Sequence, residues 1–403
     1  MPAYYRSSIT GKVKEVRRKR DLRKRDFSPA TLDFGPVKFY IARHFGFCYG
    51  VENAIEISYR ALEENSERRV FLLSQMIHNQ EVNRDLEDRG IRFIMDTDGT
   101  QFIPWDQLRQ DDVVIVPAFG TTVEIENLLS DRGIAVEKYN TTCPFVEKVW
   151  NRSEKLAQGG YTTVIHGKPR HEETRATFSH SAQGGHAMVI RDMKEAELLG
   201  SYIRGERSGE DFLEDFKGRF TPGFDPAVHL NRVGVVNQTT MLATETQAIA
   251  DYIRSQLVTR YGLENAAFHI ADTRDTLCYA TNDNQDSTYE LLKTDADIAI
   301  VVGGYNSSNT SHIVELCEKK FPTYFINSAA SILSKDVIQH FDYTTKKLKE
   351  SHGYLPRHNP VKVILTSGAS CPDTVVDQVM LKILEYFPES HNVQSVMAAF
   401  ESE

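Results

Sequence analysis

The stretch "ARHFGFCYGVENAIE", residues 42–56, sets a cysteine between Phe47 and Tyr49 and brackets it with Gly46 and Gly50. An apolar run, "VKFYIA" (37–42), precedes it, and after it Val51, Ala54, Ile55 and Ile57 recur at the spacing of a helix face. The pattern predicts a strand that hands over to a helix through a tight turn carrying a thiol. Six more β-branched runs follow: "RVFLLS" (69–74), "DVVIVPA" (112–118), "YTTVIH" (161–166), "NRVGVV" (231–236), "DIAIVVGG" (297–304) and "VKVILT" (361–366). Helical stretches, such as 145–158 and 372–387, fall between several of them. Alternation of this kind predicts an α/β chain with largely parallel sheets.

The chain's 403 residues exceed one ordinary core, so two or three domains are expected. A composition 40% apolar and 26% charged is that of a soluble protein, and no run of about 18 apolar residues offers a membrane span. The N-terminus has no apolar core of a signal peptide. A net charge of −9 argues against a general nucleic-acid binder. The five cysteines are sparse and odd in number, a poor disulfide framework that suits a reducing cytoplasm. No CxxC, P-loop or GxGxxG motif occurs, which removes zinc ribbons, P-loop enzymes and dinucleotide folds. Residues 1–36 stand apart: "KVKEVRRKRDLRKRD" reads as a solvated tail or exposed helix, and Glu15, Asp21 and Asp26 count against a transit peptide.

Small, polar or ligating residues follow each predicted strand: "FGFC", "QMIHN", "FGTT", "GKPRHEE", "NQTT", "YNSSN" and "SGAS". In open α/β sheets the ligand lies beyond the carboxyl ends of the strands. Cys143 follows Cys48 by 95 residues, and Cys278 follows Cys143 by 135. Setting aside a charged, Gly-containing stretch of about 46 residues that begins at Gly184 as an insertion leaves a second interval of roughly 90. One cysteine then recurs per α/β unit, predicting three similar small domains that each deliver a thiolate.

Three converging thiolates can hold zinc or an iron–sulfur cluster. Structural zinc takes a fourth protein ligand and usually pairs its cysteines closely in sequence. Isolated cysteines at strand tips favour a [4Fe–4S] cluster whose fourth iron, lacking a protein thiolate, acts as a Lewis acid and passes electrons. The alternative is three buried, inert thiols, since free cysteine is among the most buried residue types. Cys317, on the apolar stripe of a helix, and Cys371 are read in that way. His78, His171, Gln238, Ser307, Ser308, Asn309 and Ser370 form a set of mostly neutral donors suited to an oxyanion such as phosphate. Glu172 and Glu173 beside His171 are proton carriers, with Thr239 as a hydroxyl relay. Plain turns and N-caps account equally for any one serine loop, and a solvated charged loop for "HEE".

The blocks "GFCYGVENAI", "IHN", "TTCPFVEKV", "HEET", "NQTT", "CYATNDNQ", "GGYNSSNT" and "SGASCPD", collinear over roughly residues 37–390, resemble the 4-hydroxy-3-methylbut-2-enyl diphosphate reductase family, which closes the methylerythritol phosphate route to isoprenoids. The resemblance implies a trefoil of three α/β lobes around a [4Fe–4S] cluster bound by Cys48, Cys143 and Cys278, with one iron left for the substrate's hydroxyl. It implies reductive loss of that hydroxyl as water, giving isopentenyl and dimethylallyl diphosphate. It also implies Glu173 as proton donor with Thr239 as relay, and a diphosphate cradle of His78, His171, Ser307, Ser308, Asn309 and Ser370. A ferredoxin or flavodoxin-type electron donor, and a cytoplasmic or plastid-stromal setting, follow from the same resemblance, with no nucleic-acid or membrane partner.

The expected organisation is a basic extension (1–36), a first domain (37–143, its strand at 37–48 able to pack on the third), a second (144–275, with an insertion near 183–228), a third (276–390) and a tail (391–403). Phe119 departs from the histidine of many bacterial members and resembles the cyanobacterial and plant-type branch. A phenylalanine cannot donate to phosphate, so that part of the cradle must come from other residues. Competing readings are another three-cysteine cluster enzyme of quinolinate-synthase or diphthamide type, an electron carrier with Cys317 or Cys371 as fourth ligand, and a zinc-stabilised scaffold.

Overall fold

All seven β-branched runs form strands in the computed structural model, which describes residues 5, 7–23, 25–271 and 276–402. The chain divides into two compact units, Met1–Glu52 with His78–Val82 and Tyr279–Glu403, and Asn53–Ile77 with Asn83–Cys278. The domain boundary expected at 275 falls beside residues 272–275, outside the described residues.

In the first unit, strand Val361–Ser367 is the centre of a five-stranded sheet. It runs parallel to Val37–Ile41 on one side, with Val363 opposite Phe39, and to Ile298–Val302 on the other, with Val363 opposite Ile298. Thr323–Ile326 continues the sheet in parallel and Ala30–Asp33 closes the far edge antiparallel. Strands Val361–Ser367 and Ile298–Val302 are buried almost throughout, as parallel strands covered on both faces must be. Phe39, Ile300, Val363 and Leu365 share a core with Val375, Val379 and Ile383 of helix Asp373–Leu384 and with Ile313 of helix Ser308–Glu318. Three adjacent strands point the same way, so the segments leaving their carboxyl ends, 42–48, 303–307 and 368–372, emerge along one edge. A separate antiparallel ribbon pairs Val337–Asp342 with Lys347–His352.

The second unit holds two parallel three-stranded sheets. One orders Arg92–Phe93, Val70–Leu72 and Val113–Ile115; the other orders Ala187–Ile190, Thr162–His166 and Val233–Asn237. In the second sheet the segments that follow Thr162–His166 and Val233–Asn237 again leave side by side. None of the helices among the described residues is long and apolar enough to cross a membrane.

Two expectations change. Of the two readings of the basic N-terminal stretch, tail or exposed helix, it is a helix, Thr10–Arg20, that exposes Lys12, Glu15 and Arg18 but is also anchored: Ile9 and Val13 join the first unit's core. The stretch near 183–228 is not a detachable insertion. Ala187–Ile190 is a fully buried strand of the sheet and helix Met193–Ile203 packs over it through Ala196, Leu199 and Ile203. Only the segment after it, with Phe212, Phe216, Phe220 and Phe224 in an aromatic cluster, adds to the basic α/β plan. The charged helix that follows masks the short apolar run "AMVI", so the strand does not stand out in the sequence from the loop after it.

Candidate functional site

In the first unit the loop 368–371 ties the predicted site residues together. The Ala369 carbonyl accepts from the Cys48 N–H at 3.2 Å. The Ala369 N–H donates to Asn309 Oδ1 at 2.9 Å, and Ser370 Oγ donates to the His78 carbonyl at 3.3 Å. Gly304 lets His78 approach this closely, since a Cβ there would stand 2.0 Å from the His78 carbonyl oxygen. Ser307 caps helix Ser308–Glu318, its Oγ accepting from the Thr310 N–H at 3.2 Å. Ser307, Ser308 and Asn309 therefore stand at a helix N-terminus, where N–H groups and the dipole favour an anion. Asn284 Nδ2 donates to Asn309 Oδ1 at 3.2 Å, which fixes the amide's orientation. Asn309 Nδ2 is then buried without a hydrogen-bond partner among the described residues. An unmatched buried donor is costly, and an anionic oxygen would satisfy it.

The second unit links the remaining residues. His171 caps helix Glu172–Gly184, its Nδ1 accepting from the Glu173 N–H at 3.2 Å. Glu173 is 1% exposed, and both its oxygens accept from Thr239: Oε1 from the backbone N–H and Oε2 from the hydroxyl at 2.9 Å. Burial pushes the Glu173 carboxyl up to about 7, against the pull of the two Thr239 bonds. The Thr239 carbonyl accepts from the Cys278 N–H at 3.5 Å. Cys143 donates its N–H to the Ala118 carbonyl at 3.0 Å, and the neighbouring Phe119 packs edge-on against His171 with ring centres 5.5 Å apart. Phe119 thus supplies an apolar wall for His171.

Two placements add to the sequence reading. Glu172, read with Glu173 as a proton carrier, diverges from it because the two begin a helix, each residue turning about 100°. Glu172 points to Ser74 instead, its Oε2 accepting from the Ser74 hydroxyl. Gln238, expected beside the substrate, is 0% exposed and engaged at both ends of its amide. Its Oε1 accepts from the Lys168 N–H and Thr174 Oγ1, and its Nε2 donates to Thr240 Oγ1. It braces the "HEET" loop against "NQTT".

The five cysteines separate by setting. Cys48, Cys143 and Cys278 are partly exposed, and each stands just before a helix: Tyr49–Glu64, Pro144–Gln158 and Tyr279–Leu291. Helix N-termini stabilise thiolates. Burial pushes the Cys48 thiol up while the N–H groups of Val51 and Gly50 oppose it, a setting that a soft cation would turn in favour of the thiolate. Cys317 and Cys371 are 0% exposed, and burial pushes Cys317 up to about 12 and Cys371 further, as inert thiols. Among the described residues no group of three His, Cys, Asp or Glu side chains forms a metal site within either unit; the first unit contributes one of the three helix-start cysteines and the second two. Asn284 and the Lys14–Asp373 pair against Gly46 escaped sequence reading. Asn284 lay inside the "CYATNDNQ" block; nothing local marked the pair, whose partners are 359 residues apart.

The family model described as LytB protein matches residues 39–384. A 4-hydroxy-3-methylbut-2-enyl diphosphate reductase of Picosynechococcus sp. is 39% identical over 353 residues, 87% of this chain and 85% of that one. The enzyme of that name from Acaryochloris marina is 37% identical over 375 residues, 91% of this chain and 88% of that one. Among solved structures, the E-1-hydroxy-2-methyl-but-2-enyl-4-diphosphate reductase from Plasmodium falciparum superposes with a TM-score of 0.62 over 86% of this chain and 87% of that one, a likeness of fold at 20% identity. A solved (E)-4-hydroxy-3-methyl-but-2-enyl diphosphate reductase, described as the terminal enzyme of the non-mevalonate pathway, is 26% identical with a TM-score of 0.51, covering 86% and 99%. With a family model spanning most of its length and relatives of this identity, the chain belongs to the LytB family of 4-hydroxy-3-methylbut-2-enyl diphosphate reductases.

Proposed function

We propose that the chain removes the hydroxyl of (E)-4-hydroxy-3-methylbut-2-enyl diphosphate by two electrons and two protons, releasing water and giving isopentenyl and dimethylallyl diphosphate. Family membership supports the reaction. The observation that carries the mechanism is the buried Glu173–Thr239 pair, a carboxyl holding its proton near neutrality and bonded to a hydroxyl that can relay it. Cys48, Cys143 and Cys278, three thiols at helix starts, are the residues that would hold a [4Fe–4S] cluster. When bound, such a cluster supplies the electrons and a Lewis-acidic iron.

The chain's own residues then bind, orient and protonate. Asn309 Nδ2, the Ser307–Ser308 helix start, Ser370, His78 and His171 take the diphosphate, whose charge suits neutral donors and a helix N-terminus. Thr239 Oγ1 passes the Glu173 proton toward the departing hydroxyl. Gln238 holds the two loops in register so that this relay stays aligned. A ferredoxin or flavodoxin-type carrier delivers the electrons.

Anaerobic turnover of the allylic diphosphate with a chemical reductant tests the reading. At matched iron content, Glu173→Gln should retain substrate binding and turn over at least about 100-fold more slowly, the usual scale of general-acid help. Glu172→Gln, which preserves an acceptor for Ser74, should stay near the parent rate. Near-parent turnover by Glu173→Gln would remove the proton assignment.

A further inference from the structure

The N-terminal segment grips the turn that carries Cys48. Lys14 Nζ lies 2.7 Å from both carboxylate oxygens of Asp373 and 4.3 Å from the centre of the Phe45 ring. Tyr5 packs on Phe47 at 5.6 Å and Phe27 on His44 at 5.5 Å between ring centres. Arg17 binds Asp26 and the Ser28 carbonyl, folding the segment after the helix back toward it. The inner face of this strap therefore packs on residues 44–47, the turn that leads to Cys48.

Its outer face has different chemistry. Arg18, Arg23 and Arg25 are exposed and form no ion pair among the described residues. Leu22 lies among them in sequence at 83% exposure. The chain as a whole carries −9, so this is a local positive patch on an acidic protein, with an apolar residue amid the cations. Interfaces that dock acidic proteins combine these parts: charge steers the encounter and an apolar centre anchors it. A phosphate-tracking nucleic-acid stripe is a poorer match to a chain of net charge −9, and Glu15 and Asp26 within the run are already paired with Lys19 and Arg17.

We propose that Arg18, Leu22, Arg23 and Arg25 form the docking face for a small acidic one-electron carrier protein, which delivers its electron on the Cys48 side. The proposal rests on the reductive reading above. Each encounter oxidises the carrier by one electron, and two encounters supply the pair that dehydroxylation consumes.

The test titrates the holoenzyme and an R18E/R23E/R25E variant with an acidic [2Fe–2S] ferredoxin at low and high salt, by calorimetry, and assays both with ferredoxin or with dithionite as reductant. The variant should bind ferredoxin at least about 10-fold more weakly at low salt, lose the parent's salt dependence and show a matching rise in KM for ferredoxin. Its turnover with dithionite should equal the parent's. Leu22→Ser, which changes no charge, should weaken ferredoxin binding while leaving the salt dependence intact. Equal ferredoxin affinity in parent and both variants overturns the proposal, as does a loss confined to RNA or to vesicles of anionic lipid. Dithionite turnover by the parent tests the reductive reading separately, and the binding comparison decides the docking face whatever that turnover is.

Discussion

Glu173 shows how one residue's environment sets its chemistry. A glutamate in water has given up its proton well below neutrality, whereas burial raises this carboxyl from 4.5 to about 7. Activity carried by the acid form should fall as pH rises through about 7. Stability has a related dependence: between about 4.5 and 7 the native chain holds a proton that the unfolded chain releases, so this group's contribution to stability declines as pH rises through that window. Glu173→Gln should flatten both dependences, and a kcat profile with melting curves across that range would check it. Asn309 has the complementary role of a donor awaiting an acceptor. Asn309→Ala should weaken pyrophosphate and substrate binding by about 10- to 150-fold, the cost of a hydrogen bond to a charged group, with iron content unchanged. Parent-like affinity in a direct titration would place the cradle elsewhere.

At the scale of elements, the helix Thr10–Arg20 takes most of its N-terminal cap from a distant helix, the Ser7 hydroxyl accepting only from the Gly11 N–H. Its N-cap is Ile9, which offers no side-chain acceptor. Asp377, from helix Asp373–Leu384, serves instead, accepting from the N–H groups of Ser8, Ile9 and Thr10 and from the hydroxyls of Ser7 and Thr10. Asp377→Ala would strand buried N–H groups and weaken the helix by about 2 kcal/mol, read as faster hydrogen exchange over residues 7–20. Unchanged protection there would show that packing of Val13 alone suffices. Such long-range partnerships mark the limit of the sequence. Seven strands were legible because buried parallel strands need continuous β-branched runs. Ala30–Asp33 and Lys347–His352 were not: one alternates buried and exposed residues at an edge, the other is nearly all exposed and charged. Arg92–Phe93 is too short to show a period. The site residues were visible as motif blocks, but Gln238's bracing role and the Phe119–His171 contact are properties of packing, which no local pattern encodes.

Across the whole molecule, the proposed metal ligands are drawn from positions 230 residues apart, Cys48 to Cys278. A group bound only by the native arrangement of such distant segments stabilises the fold by mass action. Iron removal should therefore lower the melting temperature. Serine at Cys48, Cys143 or Cys278 should reproduce that loss, because a hydroxyl is a far poorer iron ligand than a thiolate. Cys317 and Cys371 provide the contrast: both are 0% exposed, and the Cys371 sulfur sits 3.6 Å from the Pro372 carbonyl. Serine there buries a hydroxyl in an apolar core and should cost about 1–3 kcal/mol whether or not iron is bound. The two classes are separated by iron content, the visible chromophore and the gap in melting temperature between iron-replete and iron-depleted protein. That gap should vanish in the first three variants and persist in the last two. A colourless Cys371→Ser protein whose melting no longer responds to iron would show that the ligand set had been drawn from the wrong cysteines.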